Sequence, residues 1–304
     1  MKAIRIHEYG DADTLKFEEA PSPLMGDEQL LVRVRDAGVN PIDWKIRQGF
    51  RKDVPAQFPL TIGQDFAGEV VAVGKLATKF ATGERVFGFA RGAYAEYVAA
   101  PAATAAKMPA SMDFATAAAL PTAGLTALQI IRDVVNAKPG TTGLIHGAAG
   151  GVGSYATQIA IARQGRVIGT ATGADIDYLK SLGVAEVIDY TRERFEDKAS
   201  GVDAVVDLVG GDTLARSYAV VKPGGVLVTT VGVIDEAAAK RAGIRAIHVV
   251  MKKNGADLAE LAQLVEKGAV KPRVGQTMPL NEAKEAQELS ETGKTHGKVI
   301  LKVA

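Results

Sequence analysis

The chain contains no cysteine, which removes disulfides, thiolate nucleophiles and every zinc site that needs a sulfur ligand. It also lacks an excess of either charge. Thirty-six basic side chains stand against 35 acidic ones, without a block of one sign, so nothing recommends nucleic acid or an acidic membrane as a partner. The first twenty residues mix acids and bases and hold no apolar segment of the kind a secretory signal needs, so a cytoplasmic location is expected. The four histidines (His7, His146, His248, His296) are isolated from one another, and no H-E-x-x-H pair, G-x-S-x-G elbow or G-x-x-x-x-G-K loop occurs. Internal repeats and low-complexity linkers are missing too.

What remains is a chain of 304 residues, 47% hydrophobic and 23% charged, long enough for two globular domains. One uncharged run, Phe114 to Ile131, approaches the length of a membrane span. It is rich in alanine and interrupted by Pro121, Gly124, three threonines and Gln129, so it reads as a buried helix joining two domains.

Before that run the pattern is mostly β. Short segments such as Leu30–Arg35, Gly68–Val73 and Tyr94–Ala99 are separated by Gly, Pro and Asp turns, as in a compact barrel. After it, six apolar segments (Leu144–His146, Val167–Thr170, Glu186–Ile188, Ala204–Val209, Gly225–Val231 and Ile247–Met251) alternate with helical stretches. This is the signature of an α/β, doubly wound parallel sheet. The tail predicts two helices, Asp257–Lys267 and Asn281–Glu291, and a closing strand, Lys298–Val303, expected to return to the barrel. The expected division is 1–112 with 254–304 as one domain and 113–253 as the other.

The most telling segment is Gly143 to Ser154, where an apolar strand runs into small residues and then into helical sequence. Aligned on G-x-G-x-x-G it reads Ala148, Gly150, Gly153, with Gly151 and Val152 between, and the first glycine is replaced by alanine. A turn without bulky side chains lets the backbone approach a pyrophosphate, and the following helix points unpaired N–H groups at it. The end of the second strand, Thr170-Ala171-Thr172, carries no carboxylate for an adenosine ribose and leaves room for a 2′-phosphate, which favours NADP over NAD. Asp175, a little further on with no Lys or Arg beside it, reads as a solvated helix-start residue, the alternative being a ribose ligand.

These features, together with Ala37-Gly-Val-Asn-Pro-Ile-Asp-Trp-Lys45, Gly63-Gln-Asp-Phe-Ala-Gly-Glu69, Gly83-Glu-Arg-Val-Phe-Gly88, Gly92-Ala-Tyr-Ala-Glu-Tyr97 and Leu120-Pro-Thr-Ala-Gly-Leu-Thr-Ala127, resemble the medium-chain dehydrogenase/reductase superfamily, in particular its zinc-free quinone oxidoreductase and enone reductase branch. The resemblance spans nearly the whole length. It implies a GroES-like barrel formed by both termini, a Rossmann NADP-binding domain, and an active site in the cleft between them.

Where zinc-dependent members place their catalytic ligands, this chain has Asn40, Gln64 and Thr122, poor donors beside thiolate and imidazole, so no metal is expected. The resemblance then implies hydride transfer from NADPH to a small-molecule acceptor that is already electron-poor, a quinone or an α,β-unsaturated carbonyl. Two alternatives stay open: an NADPH-binding module with little catalysis, and an enoyl-thioester reductase.

Asn40 is a candidate donor to the substrate carbonyl or the nicotinamide ribose, or a turn residue before Pro41. Lys45 is a candidate for cofactor contact, enolate stabilisation or protonation. Thr126 is a candidate for the nicotinamide ribose, or a buried helix threonine. By resemblance, Tyr190 packs near the adenine or 2′-phosphate, Val231 and Gly232 meet the carboxamide, and Gly297 with Lys298 closes over the cofactor, unless Lys298 is an exposed strand residue. Asp43 and Asp65 are expected to be structural, fixing turns and Arg or Lys partners, with a proton relay as the alternative, and His146 a packed strand residue. The loop Gln48–Gln57 is expected to contribute a wall of the substrate site. The outer strand Ile247–Met251 suggests pairing with a second copy as a homodimer.

Overall fold

A computed structural model describes residues 1–51 and 57–303; the middle of the 48–57 loop lies outside the described residues. The chain forms two compact units: Met1–Leu125 with Lys253–Lys267 and Pro272–Ala304, and Thr126–Lys252 with Gly268–Lys271.

The first unit begins with β1 (Lys2–Ile6), β2 (Lys16–Glu19), β3 (Gln29–Val39), α1 (Pro41–Arg47), β4 (Leu60–Thr61), β5 (Asp65–Val73), β6 (Arg85–Phe89), β7 (Tyr97–Pro101) and β8 (Ala105–Lys107). Strand β3 is its spine. Its eleven residues pair antiparallel with β5 along most of their length and with β7 at the start. Alternate residues Leu30, Val32 and Val34 are fully buried, the period of two that a half-buried strand requires.

The uncharged run 114–131 is not one helix. It forms α2 (Phe114–Ala118), α3 (Pro121–Gln129) and a π-helical turn at Ile130–Val134, closed by Val135 N–H donating to Ile130 O. Pro121 is the reason for the first break. A proline lacks the N–H and clashes with the carbonyl four residues back, so it is tolerated at the first position of a helix and not inside one. Within α3 the chain passes from the first unit to the second, between Leu125 and Thr126.

The second unit alternates β9 (Thr142–His146), α4 (Gly151–Ala162), β10 (Arg166–Ala171), α5 (Ala174–Ser181), β11 (Glu186–Asp189), β12 (Val202–Asp207), α6 (Gly211–Ser217), β13 (Val221–Thr229), α7 (Glu236–Ala242) and β14 (Arg245–His248). The strands order as β11-β10-β9-β12-β13-β14, all parallel. The strand order reverses between β9 and β12, at the centre of the sheet, where open α/β sheets bind ligands at their carboxyl ends. Leu144, Ile168, Val205 and Leu227 are buried in its core, as expected of strands covered on both faces. The last strand lies earlier in the chain than the expected Ile247–Met251, starting at Arg245 and stopping at His248. Beyond it Val249 N–H still reaches Thr229 O, but Val250 is exposed.

The tail supplies α8 (Gly255–Glu266), β15 (Val274–Pro279), α9 (Ala283–Glu291) and β16 (Lys298–Lys302). Strand β16 pairs antiparallel with β3, Val299 opposite Val39, so the end of the chain completes the sheet that the beginning started. Among the described residues no helix is long and apolar enough to cross a membrane.

Candidate active site

In the first unit a buried polar cluster forms where β3, α1, β5 and β16 meet. Asn40 caps α1, and Asp43 in the first turn accepts the Asn40 backbone N–H at 2.9 Å, a reciprocal cap that fixes the entry of the helix. The Asn40 amide is itself held at both ends. Its Nδ2 donates to Asp65 Oδ2 at 2.9 Å and its Oδ1 accepts from Lys298 Nζ, which also donates to the Val39 carbonyl at 2.7 Å. Thr122 donates to Asp65 through both N–H (2.9 Å) and hydroxyl (2.6 Å), and Tyr94 OH donates to Asp43 Oδ2 at 2.9 Å. Asn40, Asp43, Asp65, Tyr94 and Lys298 are all buried.

Two carboxylates and one ammonium therefore share a site with almost no solvent. Burial pushes Asp43 up to about 7, and the Asp65 charge adds to the rise against the Asn40 N–H, the Tyr94 hydroxyl and Lys298. Asp65 is raised for the same first reason and pulled back by Lys298, Thr122 and Asn40. Burial lowers the Lys298 ammonium while the two aspartates hold it up. A proton on Asp43 makes the whole cluster neutral.

Lys298 is thus neither an exposed strand residue nor at the surface. Its neighbour Gly297 is buried as well, with a φ of 136°. Lys45 lies on α1, half-buried, with its ammonium 5.4 Å from the Trp44 ring centroid. Gln64 lies just before β5. Its Oε1 accepts from Lys253 Nζ, which sits 5.1 Å from the Phe89 ring centroid and is held below the usual lysine range, first by burial. Lys253 escaped the sequence reading; the only sign of it was a lysine pair ahead of the α8 cap Asn254. No group of His, Asp and Glu suited to a metal occurs among the described residues.

In the second unit the turn from β9 to α4 has the geometry its small residues imply. A Cβ on Gly153 would lie 2.1 Å from the Gly147 carbonyl, so the turn closes only around glycine there. Ala148, standing where the fingerprint has its first glycine, is fully buried. Room for it is found on β10, where a Cβ on Gly169 would come within 3.0 Å of the Ala148 Cβ. The N-cap of α4 is Gly150, which brings no side chain to the N–H groups of Gly151, Val152 and Gly153, whereas α2, α7 and α8 are capped by Asp113, Asp235 and Asn254.

The other expected cofactor residues of this unit lie along the same carboxyl edge. Thr170 and Ala171 end β10, with Thr172 following, and Tyr190 is exposed just past β11. Asp189 is paired in register with Ala171, and its Oδ1 accepts from Thr191 N–H (3.0 Å) and hydroxyl (2.6 Å). Thr126 is buried on α3.

Past β13, Val231 is exposed and Gly232 half-buried, and both backbone N–H groups donate to Thr229 Oγ1 at 3.3 and 3.1 Å. Thr229 in turn donates to Asp207, which also accepts Val209 and Gly210 N–H. This buried Asp207–Thr229 pair fixes the loops after β12 and β13 together. Sequence reasoning missed it, because an Asp and a Thr at two strand ends carry no local pattern.

Residues 26–110 match the alcohol dehydrogenase GroES-like domain family, and residues 182–301 match a family described as zinc-binding dehydrogenase. The chain is 34% identical over 316 residues to 2-methylene-furan-3-one reductase of Solanum lycopersicum, which covers 99% of this chain and 79% of that one. It superposes on the quinone oxidoreductase of Coxiella burnetii with a TM-score of 0.91, 36% identity and coverage of 100% and 99% of the two chains. A mycobacterial protein solved in complex with NADPH gives a TM-score of 0.90 at 32% identity, with both chains fully covered. The chain belongs to the quinone oxidoreductase branch of the medium-chain dehydrogenase/reductase superfamily.

Proposed function

We propose that this oxidoreductase is an NADPH-dependent, zinc-independent reductase of quinones or α,β-unsaturated carbonyl compounds. The observation that carries the reading is the β9–α4 turn, where the Gly153 position is closed to any side chain and α4 is left without a side-chain cap. Backbone N–H groups of Gly151, Val152 and Gly153 hold the pyrophosphate, with the small Ala148 and the cap Gly150, whose own N–H donates to the Gly147 carbonyl, letting the backbone approach it. Thr170, Ala171, Thr172 and Tyr190 surround the adenosine end. Thr170, Ala171 and Thr172 bring no carboxylate to a ribose 2′-hydroxyl and leave room for a 2′-phosphate, and Asp189 Oδ1 already accepts from Thr191, which supports NADPH over NADH. Val231, Gly232 and Thr126 serve the nicotinamide end.

When bound, NADPH supplies a hydride to an electron-poor carbon. The chain's own part is to orient the acceptor and manage charge and proton. Lys45 supports the negative charge that builds on the acceptor oxygen and supplies the proton, and Asn40, with its amide pinned by Lys298 and Asp65, gives α1 and the residues around it a fixed geometry. The donor set does not suit zinc. Asn40 is already committed to an ammonium and a carboxylate, Thr122 to Asp65 and Gln64 to Lys253, so none of the three presents a free ligand atom of the right kind.

Steady-state rates with NADPH and NADH over a panel of quinones and enones, before and after dialysis against a chelator, test the proposal. Turnover with NADPH that survives chelation is expected. No turnover on any acceptor overturns the enzymatic reading, and loss of rate on chelation overturns zinc independence.

A further inference from the structure

Gly147 opens the phosphate turn, and its N–H donates to a side chain, Thr170 Oγ1, at 3.3 Å. The same hydroxyl lies 3.3 Å from His146 Nδ1. The other ring nitrogen, Nε2, lies 3.1 Å from Ser217 Oγ on α6, and that oxygen is 2.6 Å from the Thr213 carbonyl. His146, Thr170 and Ser217 are all buried, and the imidazole meets the Phe195 ring edge-on at 4.5 Å.

The direction of this chain follows from its far end. A carbonyl only accepts, so the Ser217 proton points at Thr213 and the Ser217 oxygen must accept from His146 Nε2–H. A neutral ring protonated at Nε2 has a bare Nδ1, which only accepts, so Thr170 donates to it. The lone pairs of Thr170 are then free for the Gly147 N–H. Protons thus run one way from Gly147 through Thr170, His146 and Ser217 to Thr213. The opposite tautomer would leave the Thr170 proton without an acceptor in a buried site and the Ser217 oxygen with nothing donating to it. Burial keeps the ring neutral, holding it down to about 4.

We propose that His146, as the neutral Nε2–H tautomer, is a positioning residue of the nucleotide site that locks the first residue of the phosphate turn to the ends of β10 and α6. The inference rests on the NADPH reading of that turn. His146 makes no contact with reacting atoms in this role; it sets the orientation of the Thr170 hydroxyl and so the placement of Gly147.

The test begins on the protein alone. A long-range proton–nitrogen correlation spectrum of histidine-labelled protein at pH 7, assigned with His146→Asn, should show His146 protonated at Nε2 only. Fluorescence titration should then give a Kd for NADPH raised about tenfold in His146→Phe, the loss of one well-placed hydrogen-bond network. His146→Asn, whose amide oxygen takes the place of Nδ1, should recover most of it. Ser217→Ala should weaken binding less, by about threefold. In His146→Phe the Gly147 amide should exchange faster, and the KM for NADPH should rise with kcat little changed.

A ring protonated at Nδ1, or a folded His146→Phe with the wild-type Kd, overturns the proposal. Should His146→Phe not fold, Ser217→Ala with unchanged Kd and unchanged tautomer overturns it equally. An unmodified protein that fails to bind NADPH overturns the cofactor reading instead, and the spectrum and the Gly147 exchange rate still decide whether the relay exists.

Discussion

In the first unit, polarity near the candidate site is held by charged side chains: Asp43, Asp65 and Lys298 are buried together, and Asn40, Thr122 and Tyr94 hydrogen-bond to them. In the second, the turn from β9 to α4 at the carboxyl edge is built of backbone and small side chains, with a helix whose glycine cap leaves its first-turn N–H groups without a side-chain acceptor. The contrast separates two kinds of site. A buried charged cluster costs free energy to assemble, because each ion is taken from water, and Asp43 Oδ1 is left there without a hydrogen-bond partner. A backbone cradle left without its partner costs little until an anion arrives, and it is therefore suited to binding.

The largest effect should come from breaking the first unit's balance. Lys298→Met removes the ammonium and leaves two buried carboxylates, which should destabilise the protein by about 3–5 kcal/mol at pH 8. The deficit should shrink as the pH falls and Asp43 and Asp65 take up protons. Urea unfolding of both proteins at pH 8 and pH 5 measures it, and an equal deficit at the two pH values would contradict the charge argument.

The two units should also respond oppositely to pH. His146 in the second is held down from 6.5 to about 4, so below pH 6.5 the unfolded chain takes the proton first. Stability then falls by about 3 kcal/mol down to pH 4 and levels off below. Asp43 in the first is pushed up to about 7, so the folded state holds that proton more tightly. Its contribution is complete below pH 3.8 and is lost as the pH rises through 7. His146→Asn should flatten the first slope and Asp43→Asn should reduce the second, read from unfolding free energies across the range.

Gly153→Ala tests the backbone cradle. The added Cβ meets the Gly147 carbonyl, which should cost about 1–3 kcal/mol of stability and weaken NADPH binding while leaving the polar cluster of the first unit untouched. Isothermal titration with NADPH against a thermal melt separates the two effects. The smallest change in stability, within about 0.5 kcal/mol, is expected for Val250→Lys, since Val250 is exposed beside the outer strand β14. If β14 pairs with a second copy as proposed from its sequence, this variant should shift the mass measured by light scattering from dimer toward monomer.

Much of this was legible before any coordinates. The six strands of the second unit and the turn at 148–153 announce themselves through local rules, apolar runs of strand length and a glycine requirement, which hold wherever the segment lies. Where a local rule had a competitor, the reading slipped. The run 114–131 looked continuous by hydropathy, but Pro121 ends one helix and starts the next. The outer strand looked longer because Val249 and Val250 are apolar, yet only one of them keeps a sheet contact.

The sequence alone determined the architecture and the glycine-closed turn between β9 and α4, because secondary-structure period and the steric demand for glycine are properties of neighbours along the chain. Which side chains share a buried site was decided by tertiary structure. Lys298 lies 258 positions from Asn40 and reaches it only because β16 pairs with β3. Asp65 and Thr122 meet for the same kind of reason, and His146 becomes a link in a relay only once β10 and α6 bring Thr170 and Ser217 to its two nitrogens. Proximity across such separations is paid for by the packing of the whole unit, and no local pattern records it.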